Sequence, residues 1–278
     1  MLHQLYIDWT VSSQLIDGWN TPNLYGLLFV SGIIIGYFVI KQMFKAEGDK
    51  FNEKDLDLLL LYTVIPTIIG ARLGHVFFYD WEYYSKNPQD IIKVWEGGLA
   101  SHGAAIMILL SLFFYSKYVV KKPWLWVLDR VVIPITIAGC FIRLGNLVNH
   151  EIIGKPTTLP WGFIFHHSPD AINPVTGEIA PRHPAQLYEA IYYLGTFFLL
   201  LFLYWKKQWR NKQGAIFGLF MIVLWSGRFF IEFVKDAQTE RDVTNVLSTG
   251  QWLSIPFVLI GIYILYNSFK STKTSSKI

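Results

Sequence analysis

Cysteine and charge are both scarce in this chain. Its 278 residues include one cysteine, Cys140, which excludes a disulfide framework and a cysteine-ligated metal site. Cys140 lies in an apolar run, where a reactive thiolate is unfavourable. Only 16% of the residues are charged, against roughly a quarter in soluble domains, whereas 53% are hydrophobic. We therefore predict a membrane protein in which any thiol chemistry comes from a substrate.

Several catalytic signatures are missing as well. There is no Gly-x-Ser-x-Gly, P-loop or paired-aspartate motif, which disfavours covalent serine catalysis, nucleotide use and magnesium-dependent phosphoalcohol transfer. His150, His166, His167 and His183 lack metal-ligand spacing, so we predict neither a metal nor a soluble cofactor. The lysines are scattered in short clusters, which argues against nucleic acid as a partner. The first twenty residues do not resemble a removable signal peptide, and we expect none.

Apolar runs dominate what is present. Crossing a bilayer takes roughly 20 helical residues, and seven runs are long enough. They lie at residues 22–43, 56–80, 98–119, 124–147, 185–205, 214–234 and 250–269. The predicted fold is an all-α membrane protein with about seven transmembrane helices in a single polytopic domain, 1–278. Small-xxx-small pairs at Gly32 and Gly36, and at Gly70 and Gly74, predict close helix packing.

Basic residues indicate the orientation. Fourteen lysines and arginines fall in the loops and tail on one side of the predicted spans, and six fall on the other. The positive-inside rule then places the N-terminus outside and the C-terminus in the cytoplasm. The longest connection, residues 148–184, becomes a small extracytoplasmic head between helices 4 and 5.

Charged side chains inside the apolar runs are the strongest functional signal. Burying an arginine at a bilayer centre costs about 3 kcal/mol, so Arg143 needs a partner or a role. If its segment is helical, Arg143, Asn146 and His150 share one face, which can hold an anion. Arg228 and Glu232 lie one helical turn apart in another run. The two arginines suggest one polar pocket, and the alternative is ion pairing that only fixes helix register.

Three further stretches contain candidate residues. His102 lies among glycines and alanines in the stretch 95–105, where it is either a proton acceptor or a histidine hydrogen-bonded at a helix end. The segment 181–190 either contributes to the chemistry or is an interfacial helix start with an aromatic anchor; its polar residues are Arg182, His183, Gln186, Tyr188 and Glu189. Arg72 lies in another apolar run. His75 and Asp80 there match the His-x4-Asp pattern of glycerolipid acyltransferases, but those enzymes present the pair on a polar surface.

The block RLGNLVNHEIIG, from Arg143 to Gly154, resembles the most specific motif of the prolipoprotein diacylglyceryl transferase family. Six other stretches resemble the family in the same order, at residues 25–32, 70–79, 95–106, 182–190, 227–238 and 250–256. The resemblance implies a seven-helix enzyme of the bacterial cytoplasmic membrane with its site towards the outer leaflet. Such enzymes move the diacylglyceryl group of phosphatidylglycerol onto the lipobox cysteine of a preprolipoprotein and release glycerol 1-phosphate.

The resemblance also implies a set of site residues. By position they are Tyr25, His102, Arg143, Asn146, Glu151, Gly154, Arg228 and Glu232. Two departures from the family pattern occur: Ile142 replaces a usual glycine, and Leu224 or Trp225 replaces a frequent tyrosine.

The implied reaction expels a phosphate-bearing leaving group, so it needs anion stabilisation more than a covalent nucleophile. Arg143 and Arg228 suit that role, because a guanidinium can hold a phosphate through two parallel hydrogen bonds. We expect His102 to act as the base, Asn146 and Glu151 to orient the arginine and headgroup, and Glu232 to hold Arg228.

Two other functions remain open at this point. One is a transporter or binding protein for an anionic lipid, although the sequence shows no paired halves with matching interrupted helices. The other is a noncatalytic membrane scaffold, which leaves the buried charges without a role.

Overall fold

Eight α-helices make up most of the chain in this computed structural model, which describes residues 6–16, 18–19, 22–48, 53–94, 97–172, 177–236 and 246–275. All but the third are long and apolar enough to cross a membrane, the fourth together with the turn to Val119 that continues it and the seventh together with the turn to Val234. The seven predicted spans are thereby confirmed, each to within a few residues. The helices are α1 (Leu24–Ala46), α2 (Glu53–Phe78), α3 (Trp81–Lys86), α4 (Ser101–Phe114), α5 (Trp124–Val148), α6 (Ala185–Trp205), α7 (Ala215–Ile231) and α8 (Thr249–Ser275).

Backbone contacts divide the chain into two compact units, residues 1–39 with 129–278, and residues 40–128. In the first unit, strands β1 (Ile7–Trp9) and β2 (Phe163–Phe165) form a two-stranded parallel sheet. A 3₁₀ turn, Glu232–Val234, follows α7. The single polytopic domain and the head at 148–184 stay predictions.

Glycines bring the helices of the first unit close together. A Cβ added to Gly32 would lie 3.0 Å from the Phe141 Cβ, and one added to Gly36 would lie 3.1 Å from Pro134. Both contacts join α1 to α5, which confirms the packing prediction for this glycine pair. Gly218 and Gly261 bring α7 and α8 together in the same way.

A buried carboxylate joins α5 to α7. The Asp129 side chain has no solvent exposure, and its two oxygens accept hydrogen bonds from the backbone N–H groups of Gly214 at 2.6 Å and Phe217 at 2.8 Å. These donors begin α7 and have no partner within that helix. Asp129 therefore caps α7 from a different helix and fixes the position of its first turn.

The far end of α5 packs against the small sheet. The indole Nε1 of Trp9, in β1, donates to the carbonyl oxygen of Leu147 at 2.9 Å. This contact holds the last turn of α5, one turn beyond Arg143. The core beneath it is a cluster of buried apolar residues: Leu147, Ile153, Phe163, Phe165 and Ala171.

In the second unit, α2 and α4 cross at glycines. A Cβ on Gly74 would lie 2.8 Å from the Cα of Gly103, and one on Gly70 would lie 2.5 Å from the Gly103 carbonyl oxygen. Side chains at these positions would force the helices apart, so the packing prediction for Gly70 and Gly74 is also confirmed.

Arg72, on α2, is a structural residue. It is 4% exposed, and its guanidinium donates to the carbonyl oxygens of Asp90 at 2.5 Å, Gly97 at 2.7 Å and Ile91 at 2.9 Å. It also lies 4.9 Å from the ring centroid of Tyr84. The arginine thus organises the segment between α3 and α4. His75 packs on Tyr79 and Tyr84, and no described contact pairs it with Asp80.

Replacing Arg72 with methionine should lower the stability of the protein. The carbonyl groups lose their donor, and that of Asp90 is buried, whereas those of Ile91 and Gly97 are only partly buried. Leaving one buried polar group unsatisfied costs about 1–3 kcal/mol. We expect a fall of at least about 2 °C in apparent Tm, given about 2–4 °C per kcal/mol for a chain of this size. Tryptophan fluorescence during heating in detergent measures it. The control is Lys86→Met, because among the described residues Lys86 makes only an exposed pair with Glu82. Equal melting of both variants contradicts the assigned role.

Candidate active site

Arg143 lies near the end of α5 and contacts polar groups on two helices. Its Nε is 3.0 Å from Oε2 of Glu189, on α6, and its Nη1 donates to Oδ1 of Asn146 at 3.3 Å. Its side chain is 17% exposed, whereas Glu189 is 1% exposed. The charge therefore has the buried partner that an arginine in an apolar helix requires. The amide of Asn146 continues the network by donating to Oε2 of Glu151 at 3.1 Å.

The chain turns back sharply after α5, which brings Glu151 to this network. The backbone N–H of Glu151 donates to the carbonyl oxygen of Asn146 at 2.9 Å, and Asn149 donates to its Oε1 at 2.7 Å. Gln186, in the first turn of α6, donates to the Glu151 carbonyl oxygen. Ile152 has φ +56°, a conformation that a β-branched residue rarely adopts. Such backbone strain is typical of functional sites.

His150 does not share the face of Arg143, so that prediction was wrong. The helix ends at Val148, and His150 adopts φ +56° in the turn that follows. Its Nε2 lies 2.8 Å from the carbonyl oxygen of Val11, and burial lowers the pKa of the imidazole. His150 therefore anchors the N-terminal segment. Within the described ranges, no three histidine, cysteine or acidic residues cluster closely enough for a metal ion.

Glu189 also faces a second cation. Lys235, just beyond α7, places Nζ 3.6 Å from Glu189 Oε1 and 3.5 Å from Glu232 Oε2. The prediction that Glu232 holds Arg228 was wrong, because no ion pair between these two described residues is present. The two residues remain one helical turn apart, since the Glu232 N–H bonds to the Arg228 carbonyl oxygen, but the Glu232 carboxylate lies towards Lys235 instead. The carboxylate packs against Gly250, where an added Cβ would lie 2.8 Å from Cδ.

Arg228 lies on α7 beside an aromatic ring. Its Cζ is 5.6 Å from the ring centroid of Trp225, which stacks on Phe257 at 4.3 Å. Its Nε is buried without a hydrogen-bond partner in the part of the chain that the structure describes. The guanidinium thus makes a cation–π contact with Trp225. A buried donor without a partner suits the binding of an anion.

Adjacent tyrosines on α6 connect the two arginine-bearing helices. Tyr193 packs on Gly139, one turn before Arg143, where an added Cβ would lie 2.9 Å from the ring. Tyr192 packs on Gly227, next to Arg228, and donates to the Val223 carbonyl oxygen at 2.7 Å.

Tyr25 and Gly154 fit close to the same network. The Tyr25 ring packs on Gly145, where an added Cβ would lie 2.7 Å from the ring. The phenol of Tyr25 is close enough to Arg143 and Glu151 for electrostatic interaction. Gly154 lies where three backbone segments cross, and its N–H donates to the His183 carbonyl oxygen at 2.9 Å. In total, six of the eight predicted site residues lie around Arg143 or in the segments that frame it. They are Tyr25, Arg143, Asn146, Glu151, Gly154 and Glu232.

His102 belongs to the other unit of the chain. It is exposed in the first turn of α4, and it makes no hydrogen bond to any residue that the structure describes. Its role as a base stays a prediction.

Sequence reasoning did not assign Glu189 and Lys235 to the site. Glu189 was visible as an acidic residue in an apolar helix, which requires a partner. Lys235 was visible three residues after Glu232, a spacing that allows an ion pair. The contact between Glu189 and Lys235 was not predictable from the sequence, because the two residues are 46 positions apart.

Comparisons with known proteins identify the family of this chain. The family model for prolipoprotein diacylglyceryl transferase matches residues 18–267. Proteins named phosphatidylglycerol–prolipoprotein diacylglyceryl transferase are similar over nearly the whole length. The one from Porphyromonas gingivalis is 44% identical over 276 residues, covering 97% of both chains. The one from Chloroherpeton thalassium is 41% identical over 269 residues, covering 96% of both. The family predicted from the sequence motifs is confirmed: this chain belongs to the prolipoprotein diacylglyceryl transferase family.

Proposed function

We propose that this protein transfers the diacylglyceryl group of phosphatidylglycerol to the thiol of the lipobox cysteine of a preprolipoprotein. Family membership supports the reaction, and the observation that carries it is the buried Arg143 network with Arg228 on the adjoining helix α7. Transfer with an external thiol needs an anion site and no protein nucleophile. The sole cysteine, Cys140, is buried within α5.

Arg143 and Arg228 bind the lipid phosphate in this proposal. A guanidinium in a low-dielectric site holds a phosphate through charge-assisted hydrogen bonds and stabilises the charge that develops as the leaving group departs. Asn146 and Glu151 orient Arg143, Tyr25 borders the headgroup, and Gly154 keeps the surrounding backbone close. These six assignments extend the family resemblance with the contacts described above, and Glu232 adds the link to Lys235.

The transfer is a displacement at carbon. The cysteine sulfur forms a thioether bond to the glycerol carbon that bears the phosphate, while the carbon–oxygen bond breaks and its electron pair leaves with glycerol 1-phosphate. The thiolate is the reactive nucleophile, and a free cysteine has a pKa of about 8.5. We assign removal of the thiol proton to His102. The step requires no metal or soluble cofactor.

The proposal includes a location. Seven apolar helices fit a multi-pass protein of the bacterial cytoplasmic membrane. The distribution of lysine and arginine favours an outside N-terminus, an extracytoplasmic head at 148–184 and a cytoplasmic C-terminus. The cysteine-bearing signal peptide then reaches the site from the outer side.

The test uses the purified full chain in vesicles with a lipobox peptide, followed by mass spectrometry. With phosphatidylglycerol, we expect the peptide to gain one diacylglyceryl group and an equal amount of glycerol 1-phosphate to appear. A peptide with serine in place of cysteine, and vesicles of phosphatidylcholine alone, should give no product. A folded protein that yields no product overturns the transferase proposal; retained binding of phosphatidylglycerol in that case would indicate a lipid-binding protein.

A further inference from the structure

Glu189 lies between two cations. Its Oε2 is 3.0 Å from Arg143 Nε, and its Oε1 is 3.6 Å from Lys235 Nζ. Both Glu189 and Lys235 are almost fully buried, with side chains 1% and 3% exposed. Neither carboxylate oxygen accepts an aligned hydrogen bond within the described residues. The interaction is therefore mainly one of charge, in a place where charge is weakly screened.

The charges around Arg143 are balanced before any lipid binds. The described ion pairs form a chain in which two cations, Arg143 and Lys235, alternate with two carboxylates, Glu189 and Glu232. Without Lys235, the charge of Glu189 would act on Arg143 alone, and Glu232 would lose its only described ion-pair partner. The pocket would then be negative, and an anionic headgroup would be repelled.

We propose that Lys235 is a positioning residue of the transferase site, which neutralises Glu189 from the side away from Arg143. Glu189 can then orient Arg143 without cancelling its attraction for the lipid phosphate. The inference rests on the proposed function and concerns how the same site selects an anionic headgroup.

The geometry separates this role from simple structural pairing. Glu189 acts on Arg143 through Nε, so removing its charge should leave the guanidinium more attractive to phosphate but less well oriented. Removing the charge of Lys235 should have the opposite effect on lipid binding. Substitutions that only loosen the fold would weaken both binding and turnover in both variants.

The experiment compares Lys235→Met, Glu189→Gln and the double variant in the vesicle assay, with KM for phosphatidylglycerol and kcat measured separately. Lys235→Met should raise KM about tenfold or more, the size expected for one charge at close range in a poorly screened site. Glu189→Gln should lower or preserve KM while kcat falls. The double variant, neutral again, should recover a KM within about threefold of the parent.

Two controls complete the design. Lys235→Arg keeps the charge and should keep KM. Lys86→Met removes an exposed lysine whose described partner is Glu82, at 3.2 Å, and should behave like the parent. If Lys235→Met does not fold, Glu189→Gln still carries the test through the sign of its KM change, and the double variant through a KM close to that of the parent.

An unchanged KM in Lys235→Met, or a rise in KM in Glu189→Gln of the same size, overturns the positioning role. Either result leaves the transferase proposal intact, because the parent protein is active in the same assay. An inactive parent protein would instead refute the proposed function.

Discussion

Replacing Arg143 with alanine should lower the rate of diacylglyceryl transfer by about 10²–10³-fold, the usual effect of removing one preorganised donor from a site where negative charge develops. The expectation follows from the position of Arg143, which Glu189 and Asn146 hold in place at the end of a buried chain of polar contacts. Mass spectrometry of the lipobox peptide in phosphatidylglycerol vesicles measures the loss.

Lysine at the same position should be a poor substitute. An ammonium keeps the positive charge but lacks the planar set of donors that contacts Glu189, Asn146 and a phosphate at once. The control is Arg210→Ala. Arg210 follows the end of α6 opposite to Glu189 and donates to Gln208 at 3.0 Å, so its loss should leave the transfer rate unchanged. Undiminished transfer by Arg143→Ala would refute the role given to this arginine.

The helices were predictable because their lengths are set by the bilayer. An apolar run of about twenty residues has few alternatives to a spanning helix, since its backbone polar groups must be satisfied internally. The clearest deviation is at the start of α4, which was expected at residue 98 and begins at Ser101. Gly97 and Gly98 adopt positive φ there, and the chain passes close to Arg72 and His75 before the helix begins.

The polar contacts were only partly predictable. Contacts between near neighbours, such as Arg143 with Asn146, follow from helical spacing. The expected pair of Arg228 and Glu232 failed although the helical spacing is kept, with the Glu232 N–H bonded to the Arg228 carbonyl oxygen, because the carboxylate pairs with Lys235 instead. The partners that stabilise the buried charges, Glu189 for Arg143 and three carbonyl groups for Arg72, come from other segments. Local patterns in the sequence do not encode them.

Gly154→Ala should abolish most of the activity, although it adds a single methyl group. An added Cβ would lie 2.6 Å from both the Cβ and the carbonyl oxygen of His183, and 2.7 Å from the Val234 carbonyl oxygen. These neighbours cannot easily move away. Backbone hydrogen bonds tie Gly154 to His183 at 2.9 Å and Lys155 to Val234 at 2.8 Å, and Arg182 donates to the Gly154 carbonyl oxygen at 3.3 Å.

Displacement at Gly154 reaches the site by two routes. The His183 segment leads into the first turns of α6, where Glu189 lies, and the Val234 segment contains Lys235. A shift of about 1 Å in a catalytic group can cost about a hundredfold in rate, so we expect at least that loss in kcat. Overpacking should also lower stability by about 1–3 kcal/mol, visible as a lower apparent Tm.

The matched control for Gly154→Ala is Gly195→Ala. Gly195 lies in the middle of α6, and an added Cβ there meets no atom within 4 Å. Alanine favours a helix over glycine by about 1 kcal/mol, so this variant should keep full activity and melt at the same temperature or higher. If Gly154→Ala retained activity equal to that of Gly195→Ala, the crossing at Gly154 would have to accommodate a side chain. In that case the backbone crossing at Gly154 would not be responsible for positioning Glu189 and Lys235 near Arg143.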